Sequence, residues 1–374
     1  MPSRISDALK DHPVHLPHNI LDLGSVKELP DSYAWNAPPL PCDRTVLDLS
    51  VPVIDLGHPG ASTLIGHACK EWGVFQMTNH GVPRDLLTEV ERAGRDLFSL
   101  PLQQKMRVAR KPDGVSDYGV TRISSFFPKL MWSEGFTVIG SPLEHARLLW
   151  PHDRAAGFCD VIGRYNDEMR RLAGKLMWLM LGALGIRHHS EDDVTWAGPN
   201  GDFPGASAAL QMNSYPACPD PDQAMGLAAH TDSTLLTILL QNDTAGLQVM
   251  KGDGSGWATV PPVDGALVVN VGDLLQMLTN GTYPSIVHRV FVTRNAHRHS
   301  IAYLYGPPSG VKIAPLPALT GPGHPALFWP VTWSEYLGMK AKHFDKALTS
   351  VRLPPPRVSD MESLTPDVNI ETKS

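Results

Sequence analysis

Between residues 206 and 308 the chain is a series of short apolar or alternating runs, each separated from the next by Gly, Asp, Asn or Pro. Short runs with turn residues at regular intervals are typical of the strands of a β-sandwich or barrel. The runs are SAALQMNSY, LLTILLQ, GLQVM, ALVVNVG, SIVHRVFV and SIAYLYG. This pattern predicts a mainly β core in this part of the chain.

Helical patterns lie on both sides of this core. Apolar residues recur at helical spacing over 84–108, with a break at Pro101, and again over 158–184 and 331–352. These periods predict helices that pack against the sheet. We divide the chain into a surface-wrapping N-terminal segment (1–50), an N-terminal region with support helices (51–205), the β core (206–308) and a C-terminal helix and tail (309–374).

Composition narrows the classes of partner. The formal net charge is -6 and no stretch concentrates Lys and Arg, which disfavours binding to a nucleic acid backbone. The N-terminus lacks an apolar stretch of signal-peptide length, and the longest apolar run, 176–186, is shorter than a membrane span. We therefore expect a cytoplasmic location, which leaves entry into the nucleus open, and binding to neither nucleic acid nor membrane. Protein partners are unknown.

One set of residues has the spacing of a metal site. His230 and Asp232 are two residues apart, so on an extended strand both side chains point to the same face. His288 follows 56 residues later (288 minus 232), in a run where it alternates with Ile286 and Val290 on the inward side. Alone, the first pair also fits a solvated strand end, and His288 also fits a core histidine bonded to a carbonyl. Together, two histidines and one carboxylate leave three open positions on an octahedral iron(II), whereas zinc favours a tetrahedron.

A second motif follows ten residues after His288 (298 minus 288). Arg298 and Ser300 are again two residues apart at the start of a predicted strand. The fork of an arginine matches the two oxygens of a carboxylate and stays charged at physiological pH. For Arg298 alone, a surface ion pair is the commoner explanation. Because Arg298 and Ser300 follow the three residues of the metal motif at this spacing, they predict a clamp for a carboxylate.

The motifs in this order resemble those of the plant 2-oxoglutarate-dependent dioxygenases over most of the chain. The matching segments are VPVIDLG (51–57), EWGVFQMTNHGVP (71–83), NSYPACP (213–219) and LYGPP (304–308). The resemblance implies a double-stranded β-helix (jelly-roll) core with flanking helices. It also implies iron(II) on His230, Asp232 and His288, with 2-oxoglutarate and O2 as co-substrates and ascorbate as the reductant. Arg298 and Ser300 would hold 2-oxoglutarate, with Asn213 and Tyr215 lining its pocket.

Three further segments resemble the gibberellin 3-beta-hydroxylases. They are LPDSYAW (29–35), RISSFFPKLMWSEGFTVIGSP (122–142) and VTWSEYLGMKAKHF (331–344). This resemblance implies 3-beta-hydroxylation of gibberellin precursors to bioactive gibberellins, with release of succinate and CO2. The alternatives are a gibberellin 2- or 20-oxidase or a flavonoid dioxygenase. A non-catalytic gibberellin-binding protein is an alternative of another class, which the intact metal and clamp motifs disfavour.

The segment 122–136 supplies candidate contacts for a gibberellin, which is a rigid apolar ring system that carries a carboxylate. We hypothesise that Arg122 or Lys129 meets the carboxylate. Phe126, Phe127 and Trp132 would contact the rings. The alternative is that these aromatic residues only pack the segment onto the β core.

Overall fold

The core of this computed structural model contains an eight-stranded sheet, a four-stranded sheet and a two-stranded ribbon. The structure describes residues 11–16, 20–35, 50–186, 194, 196, 203–252, 254 and 256–354. In chain order the strands are β1 Val53–Asp55, β2 Val74–Thr78, β3 Asp117–Gly119, β4 Glu134–Val138, β5 Ala206–Tyr215, β6 Leu227–His230, β7 Leu236–Gln241, β8 Leu247–Met250, β9 Trp257–Thr259, β10 Leu267–Val271, β11 His288–Val290, β12 Arg298–Pro308, β13 Lys312–Ile313 and β14 Val331–Thr332.

The large sheet has the order β1-β2-β10-β7-β12-β5-β4-β3, and the smaller sheet has the order β6-β11-β8-β9. Strand β1 runs parallel to β2, and all the other pairs within these two sheets are antiparallel. Strands β1 to β4 precede residue 206 yet belong to the same sheet as β5, β7, β10 and β12. The large sheet therefore extends across the boundary that we predict at 205/206.

Strand β10 shows how the two faces of the large sheet are used. Leu267, Val269 and Val271 belong to the apolar cluster that the helices complete, whereas Val268 belongs to a second cluster with residues of the smaller sheet. Successive side chains of a strand point to opposite faces, so helices cover one face and the smaller sheet covers the other. The predicted mainly β core with flanking helices is confirmed, and its two stacked sheets form the expected jelly roll.

Eight α-helices flank these sheets in the described part of the chain. They are α1 Ala61–Glu71, α2 Arg84–Phe98, α3 Leu102–Lys105, α4 Leu143–Leu149, α5 His152–Gly182, α6 Asp273–Leu278, α7 Trp333–His343 and α8 Ala347–Ser350. The predicted break at Pro101 is confirmed, because α2 ends before this residue and α3 begins after it. The long helix α5 packs against α1, α2 and α4. Within the ranges described, no helix combines the length and the apolar character needed to cross a membrane.

Helix α7 begins with a capping box directly after β14. The backbone N–H of Glu335 donates to Thr332 Oγ1 (3.2 Å), and the backbone N–H of Thr332 donates to Glu335 Oε2 (2.7 Å). These bonds satisfy amide groups that a helix start leaves unpaired. They fix the first turn of α7 and therefore the face that it presents to the cavity described below.

Candidate active site

The predicted metal triad is assembled by the pairing of two short strands. His230 ends β6 and His288 begins β11, and the two residues are direct partners in the antiparallel register. Asp232 lies two residues beyond His230, so its carboxylate reaches the same side. Asp232 Oδ1 lies 3.7 Å from Nε2 of His230 and 3.7 Å from Nε2 of His288. The ligand atoms all lie within 4.8 Å of one another, close enough to bind one metal ion.

Backbone carbonyls orient both imidazoles. His230 Nδ1 lies 2.9 Å from the carbonyl oxygen of Ala228, and His288 Nδ1 lies 3.2 Å from that of Ile286. A carbonyl oxygen only accepts, so in each ring Nδ1 carries the hydrogen and donates. The lone pair is then on Nε2, the atom that faces Asp232. This arrangement is the usual way in which a protein fixes the tautomer of a metal-binding histidine.

The electrostatics of the triad favour the ligand forms of its residues. Burial, reinforced by the charge of neighbouring His288, lowers the pKa of His230 to about 3. Burial raises the pKa of Asp232, but His288 and His230, together with a hydrogen bond from Thr237 and the charge of Lys340, lower it, and the net shift is downward. Asp232 Oδ2 is buried and has no hydrogen-bond partner among the described residues. The Nε2 atoms of the two histidines and the unmet oxygen of Asp232 therefore fit a divalent cation such as iron(II).

The predicted carboxylate clamp is a block of four residues on one face of two paired strands. In the β5–β12 register Arg298 pairs with Tyr215, and Ser300 pairs with Asn213. Arg298 Nη1 donates to Ser300 Oγ (3.4 Å), and Asn213 Nδ2 donates to the same oxygen (3.5 Å). The Arg298 guanidinium carbon lies 5.1 Å from the centre of the Tyr215 ring. The motif Asn-x-Tyr on β5 and the motif Arg-x-Ser on β12 thus form one site.

Arg298 is a buried cation without an anionic partner. Its exposed fraction is 2%, its Nε has no hydrogen-bond partner, and burial lowers its pKa. Among the described residues no carboxylate lies within ion-pair distance of its guanidinium. A buried charge is costly unless it is paired, so this guanidinium fits an incoming carboxylate.

Two residues that support the clamp were not apparent from the sequence. Gln241 Oε1 accepts from Arg298 Nη2 at 3.0 Å, and Gln241 is the partner of Ser300 in the β7–β12 register. Gly246 lies against the stem of Arg298, where an added Cβ would lie 2.6 Å from Cδ. Both contacts depend on how distant strands pair, so no local motif marks these residues.

A polar cluster around the buried Asp273 carboxylate links α7 to the loop that carries Asp232. We call Thr231, Asp273, Tyr336 and Lys340 the α7 latch. Asp273 Oδ2 accepts from Tyr336 Oη (2.7 Å), Lys340 Nζ (2.7 Å) and Thr231 Oγ1 (3.0 Å), and the Asp273 backbone N–H donates to the carbonyl of Asp232 (2.8 Å). The only signal in the sequence is the i, i+4 spacing of Tyr336 and Lys340 in a segment singled out by its resemblance.

The triad and the clamp border a single cavity of about 300 Å³, as do Thr231 and Lys340 of the latch, and this volume is within the range of small-molecule sites. Its apolar wall includes Leu239 and Val290 from the sheets and Leu337 from α7. Phe126 and Phe344 also border it, and their rings stack with centroids 4.8 Å apart. The cavity therefore joins a metal-binding end to an apolar and aromatic end.

Of the five residues predicted to contact a substrate, two border the cavity and three do not. Arg122 and Phe126 border the cavity. Phe127 packs behind it, against Trp35 and Phe344, and the Lys129 ammonium donates to the carbonyl of Asp31 (2.6 Å). These two residues do not border the cavity.

Trp132 is fully buried away from the cavity. Its indole N–H donates to the carbonyl of Pro216 (3.0 Å), and its ring packs on Tyr33. The predicted substrate contacts of Phe127, Lys129 and Trp132 are therefore not supported by their placement. For Phe127 and Trp132, packing of the segment onto the core, the alternative considered above, describes the observed contacts.

Comparison with known proteins agrees with this geometry. Residues 206–307 match the 2OG-Fe(II) oxygenase superfamily, and residues 51–154 match the family described as non-haem dioxygenase in morphine synthesis N-terminal. Gibberellin 3-beta-dioxygenase 1 of Pisum sativum is 58% identical over 362 residues, covering 94% of this chain and 94% of that protein. Gibberellin 3-beta-dioxygenase 1 of Arabidopsis thaliana is 52% identical over 361 residues, covering 94% and 99%.

Among solved structures, JOX2 in complex with 2OG, Fe, and JA is similar with a TM-score of 0.76 and 30% identity, covering 91% of this chain and 100% of that one. A dioxygenase for auxin oxidation from rice has a TM-score of 0.67 and 25% identity, covering 81% and 100%. The β core, the metal triad and the clamp therefore occur in a chain whose relatives are dioxygenases along nearly its whole length.

Proposed function

The chain belongs to the 2OG-Fe(II) oxygenase superfamily and, within it, to the gibberellin 3-beta-dioxygenases, and from this we propose that it hydroxylates carbon 3 of gibberellin precursors. The reaction uses O2 and 2-oxoglutarate and releases succinate and CO2. The observation that carries this function is the convergence of the triad and the clamp on one cavity in a chain 58% identical to a gibberellin 3-beta-dioxygenase.

Iron(II), when bound with 2-oxoglutarate and O2, supplies the oxidising power that replaces a C–H bond by C–OH. The protein contributes the ligands and their orientation. His230 and His288 present Nε2 because their Nδ1–H groups donate to backbone carbonyls, and Asp232 adds one carboxylate oxygen. Three protein ligands leave positions for both co-substrates.

The clamp orients 2-oxoglutarate by its distal carboxylate. Arg298 supplies a charged fork that the paired strands hold in place, and the Ser300 hydroxyl lies 3.4 Å from that fork. Burial of Arg298 removes competing water and strengthens the attraction between the guanidinium and a carboxylate. The clamp would thereby hold one end of the co-substrate while the triad would hold the metal.

The apolar part of the cavity positions the substrate. A gibberellin is a rigid apolar ring system, and the cavity offers apolar walls together with the Phe126–Phe344 stack. Holding one C–H bond near the metal while excluding water is the share of the reaction that depends on this chain. We retain Arg122 and Phe126 as predicted substrate contacts.

The identity of the product tests this function. Purified protein is incubated with iron(II), 2-oxoglutarate, ascorbate and a 3-deoxy gibberellin, and the product is identified by mass spectrometry and chromatography against authentic standards. A 3-beta-hydroxylated product that is absent from an Asp232→Ala control supports the proposal. Hydroxylation at carbon 2 or oxidation at carbon 20 would retain the chemistry and reject the position. Binding of a gibberellin without succinate release would reject the enzyme.

We retain the cytoplasmic location as a prediction. Fractionation of plant cells with an antibody against the chain tests it, and recovery in a sealed organelle would contradict it.

A further inference from the structure

Four cationic side chains border the cavity, namely Arg110, Arg122, Arg298 and Lys340. Asp232, a triad residue, is the one acidic residue among the described residues that border it. Two of the cations already have a role. Arg298 belongs to the clamp, and the Lys340 ammonium lies 2.7 Å from the buried carboxylate of Asp273. We call the remaining two, Arg110 and Arg122, the arginine pair.

The arginine pair is held in place by neutral acceptors. Arg110 donates through Nη2 to the carbonyl of Val120. Arg122 donates through Nη1 to the carbonyl of Gly114 (2.5 Å) and through Nη2 to the carbonyl of His12 (2.9 Å). Carbonyl oxygens orient a guanidinium but do not neutralise its charge.

Neither arginine has a carboxylate within ion-pair distance among the residues that the structure describes. Asp117 lies near enough to Arg110 to act on its charge, but its Oδ1 is bound to His145 Nδ1. Asp113 acts on Arg122 in the same way. Asp113 and Asp117 therefore offset only part of the positive charge of the arginine pair.

The two like charges are near enough to act on each other, and Arg110 is buried while Arg122 is partly exposed. The exposed fraction of Arg110 is 6%, and burial, followed by the charge of Arg122, lowers the pKa of Arg110 to about 10. Two neighbouring cations, one buried and one partly exposed, repel each other, so an anion between them would gain an interaction that the protein leaves unmet. The geometry and the charge therefore indicate an anion-binding wall within the substrate cavity.

The segment 11–16 closes this wall from outside. The Val14 backbone N–H donates to the carbonyl of Pro112 (2.8 Å), and His12 and Val14 both border the cavity. The arginine pair is thus covered by chain that is distant in sequence, which lowers access of water and strengthens its interaction with a bound anion.

We propose that Arg110 and Arg122 together bind the carboxylate of the substrate and thereby set which carbon of its ring system faces the metal. The inference rests on the proposed function, because it takes the substrate to be a gibberellin acid. Lys340 is not the carboxylate site, since Asp273 already neutralises it. A rigid ring system held at its carboxylate keeps few orientations relative to the triad, so the pair determines specificity as well as affinity.

The first test compares a 3-deoxy gibberellin with its methyl ester, which has the same rings and no charge. For the unmodified protein we expect kcat/KM to be roughly 10- to 100-fold lower for the ester, the effect of losing hydrogen bonds between charged groups. Equal values for acid and ester would overturn the carboxylate site and leave the proposed function standing. Turnover of neither compound would overturn both.

The second test repeats the comparison with Arg110→Met and, separately, Arg122→Met. Each variant should lower kcat/KM for the acid and remove most of the difference between acid and ester. The exposed neighbour Lys111 provides a matched control, and Lys111→Met should keep the full difference. An ester penalty caused only by added bulk would persist in both arginine variants and would overturn the proposal.

The proposal would also be overturned if Lys340→Met removed the difference in kcat/KM between acid and ester while neither arginine variant did. Because Arg110 is buried, its variant can fail to fold. The partly exposed Arg122 and the measurement on the unmodified protein then still decide between the outcomes.

Discussion

The two ends of the cavity are built in different ways. At the metal end, strand pairing places the functional side chains: His230 opposite His288, and Arg298 opposite Tyr215. At the substrate end, the arginine pair lies in the loops around β3, and carbonyls of other loops hold its side chains. Strand register constrains position more tightly than loop contacts, because each residue is fixed by bonds on both sides.

This difference indicates where chemistry and specificity are encoded. Positions set by register tolerate little change, which suits ligands that must meet one metal ion. Positions set by loops can be changed without altering the sheet, which suits the recognition of one substrate among related molecules. The α7 latch lies between the two, because it ties a helix that borders the substrate end to the loop that carries Asp232.

The largest expected effect is at the metal end. Asp232→Ala removes one of three ligands and should lower iron affinity by more than about 100-fold, since even residues that only support a ligand are worth 10- to 100-fold. Calorimetric titration with iron(II) under anaerobic conditions measures it. Asp243→Ala, at an exposed position, is the control and should bind iron as the unmodified chain does. Iron affinity retained in Asp232→Ala would contradict the assigned triad.

The next largest effect should change the KM for one ligand of the cavity and not the KM for the other. Arg298→Met should raise the KM for 2-oxoglutarate by roughly 100-fold, because a buried charge-assisted pair is lost. The KM for the gibberellin should change much less, and Arg298→Lys should restore only part of the loss because a lysine lacks the planar fork. Succinate release at varied 2-oxoglutarate measures this. Arg154→Met, on the exposed surface, is the control.

A rise in the gibberellin KM as large as the rise for 2-oxoglutarate would contradict the division of the cavity into two ends. It would mean that Arg298 supports both ligands.

A smaller effect is expected at the latch. Tyr336→Phe removes one donor to the buried Asp273 carboxylate and should lower the free energy of unfolding by about 1.5–3 kcal/mol. Urea unfolding measures it. Tyr165→Phe is a matched control, because the Tyr165 hydroxyl is buried and has no hydrogen-bond partner among the described residues. If both variants lost the same stability, the Tyr336–Asp273 bond would not be the cause.

The smallest effect concerns pH. Burial, followed by the charge of His297, lowers the pKa of His299 on β12 to about 3. Between about pH 6.5 and 3 the unfolded chain therefore binds a proton that the folded chain does not, so this residue makes stability fall as the pH falls. His299→Phe should lose less stability than the unmodified protein between pH 7 and 5, by about 2 kcal/mol.

Urea unfolding of the metal-free protein at the two pH values measures this difference. His324→Phe, at an exposed position, should follow the unmodified protein. An unchanged pH dependence in His299→Phe would show that water reaches this part of the sheet.

Much of the metal end was predictable. His230 with Asp232, and Arg298 with Ser300, are each two residues apart, and on a strand this spacing alone places two side chains on one face. The break at Pro101 was predictable for a similarly local reason, since proline lacks the amide hydrogen that a helix interior needs.

Other site residues were beyond local patterns. Gln241 reaches Arg298 only because β7 pairs with β12, and Asp273 is a latch residue only because α6 packs beside the triad loop. Trp132 and Lys129 are the reverse case, in which a local pattern suggests a role that the placement of the side chain does not support. The composition of their segment suggested a substrate wall, yet in a chain of tight turns the direction of each side chain depends on what the turn packs against.

The sequence by itself determined two functional pairs, His230 with Asp232 and Arg298 with Ser300, because spacing along a strand is a local property. The tertiary structure decided which cations keep a free charge. Lys340 forms an ion pair with Asp273, 67 residues away in the chain, whereas the side-chain hydrogen bonds of Arg110 and Arg122 to described residues go to carbonyl oxygens. Charge compensation depends on distance in space, so only the folded chain distinguishes a binding residue from a structural one.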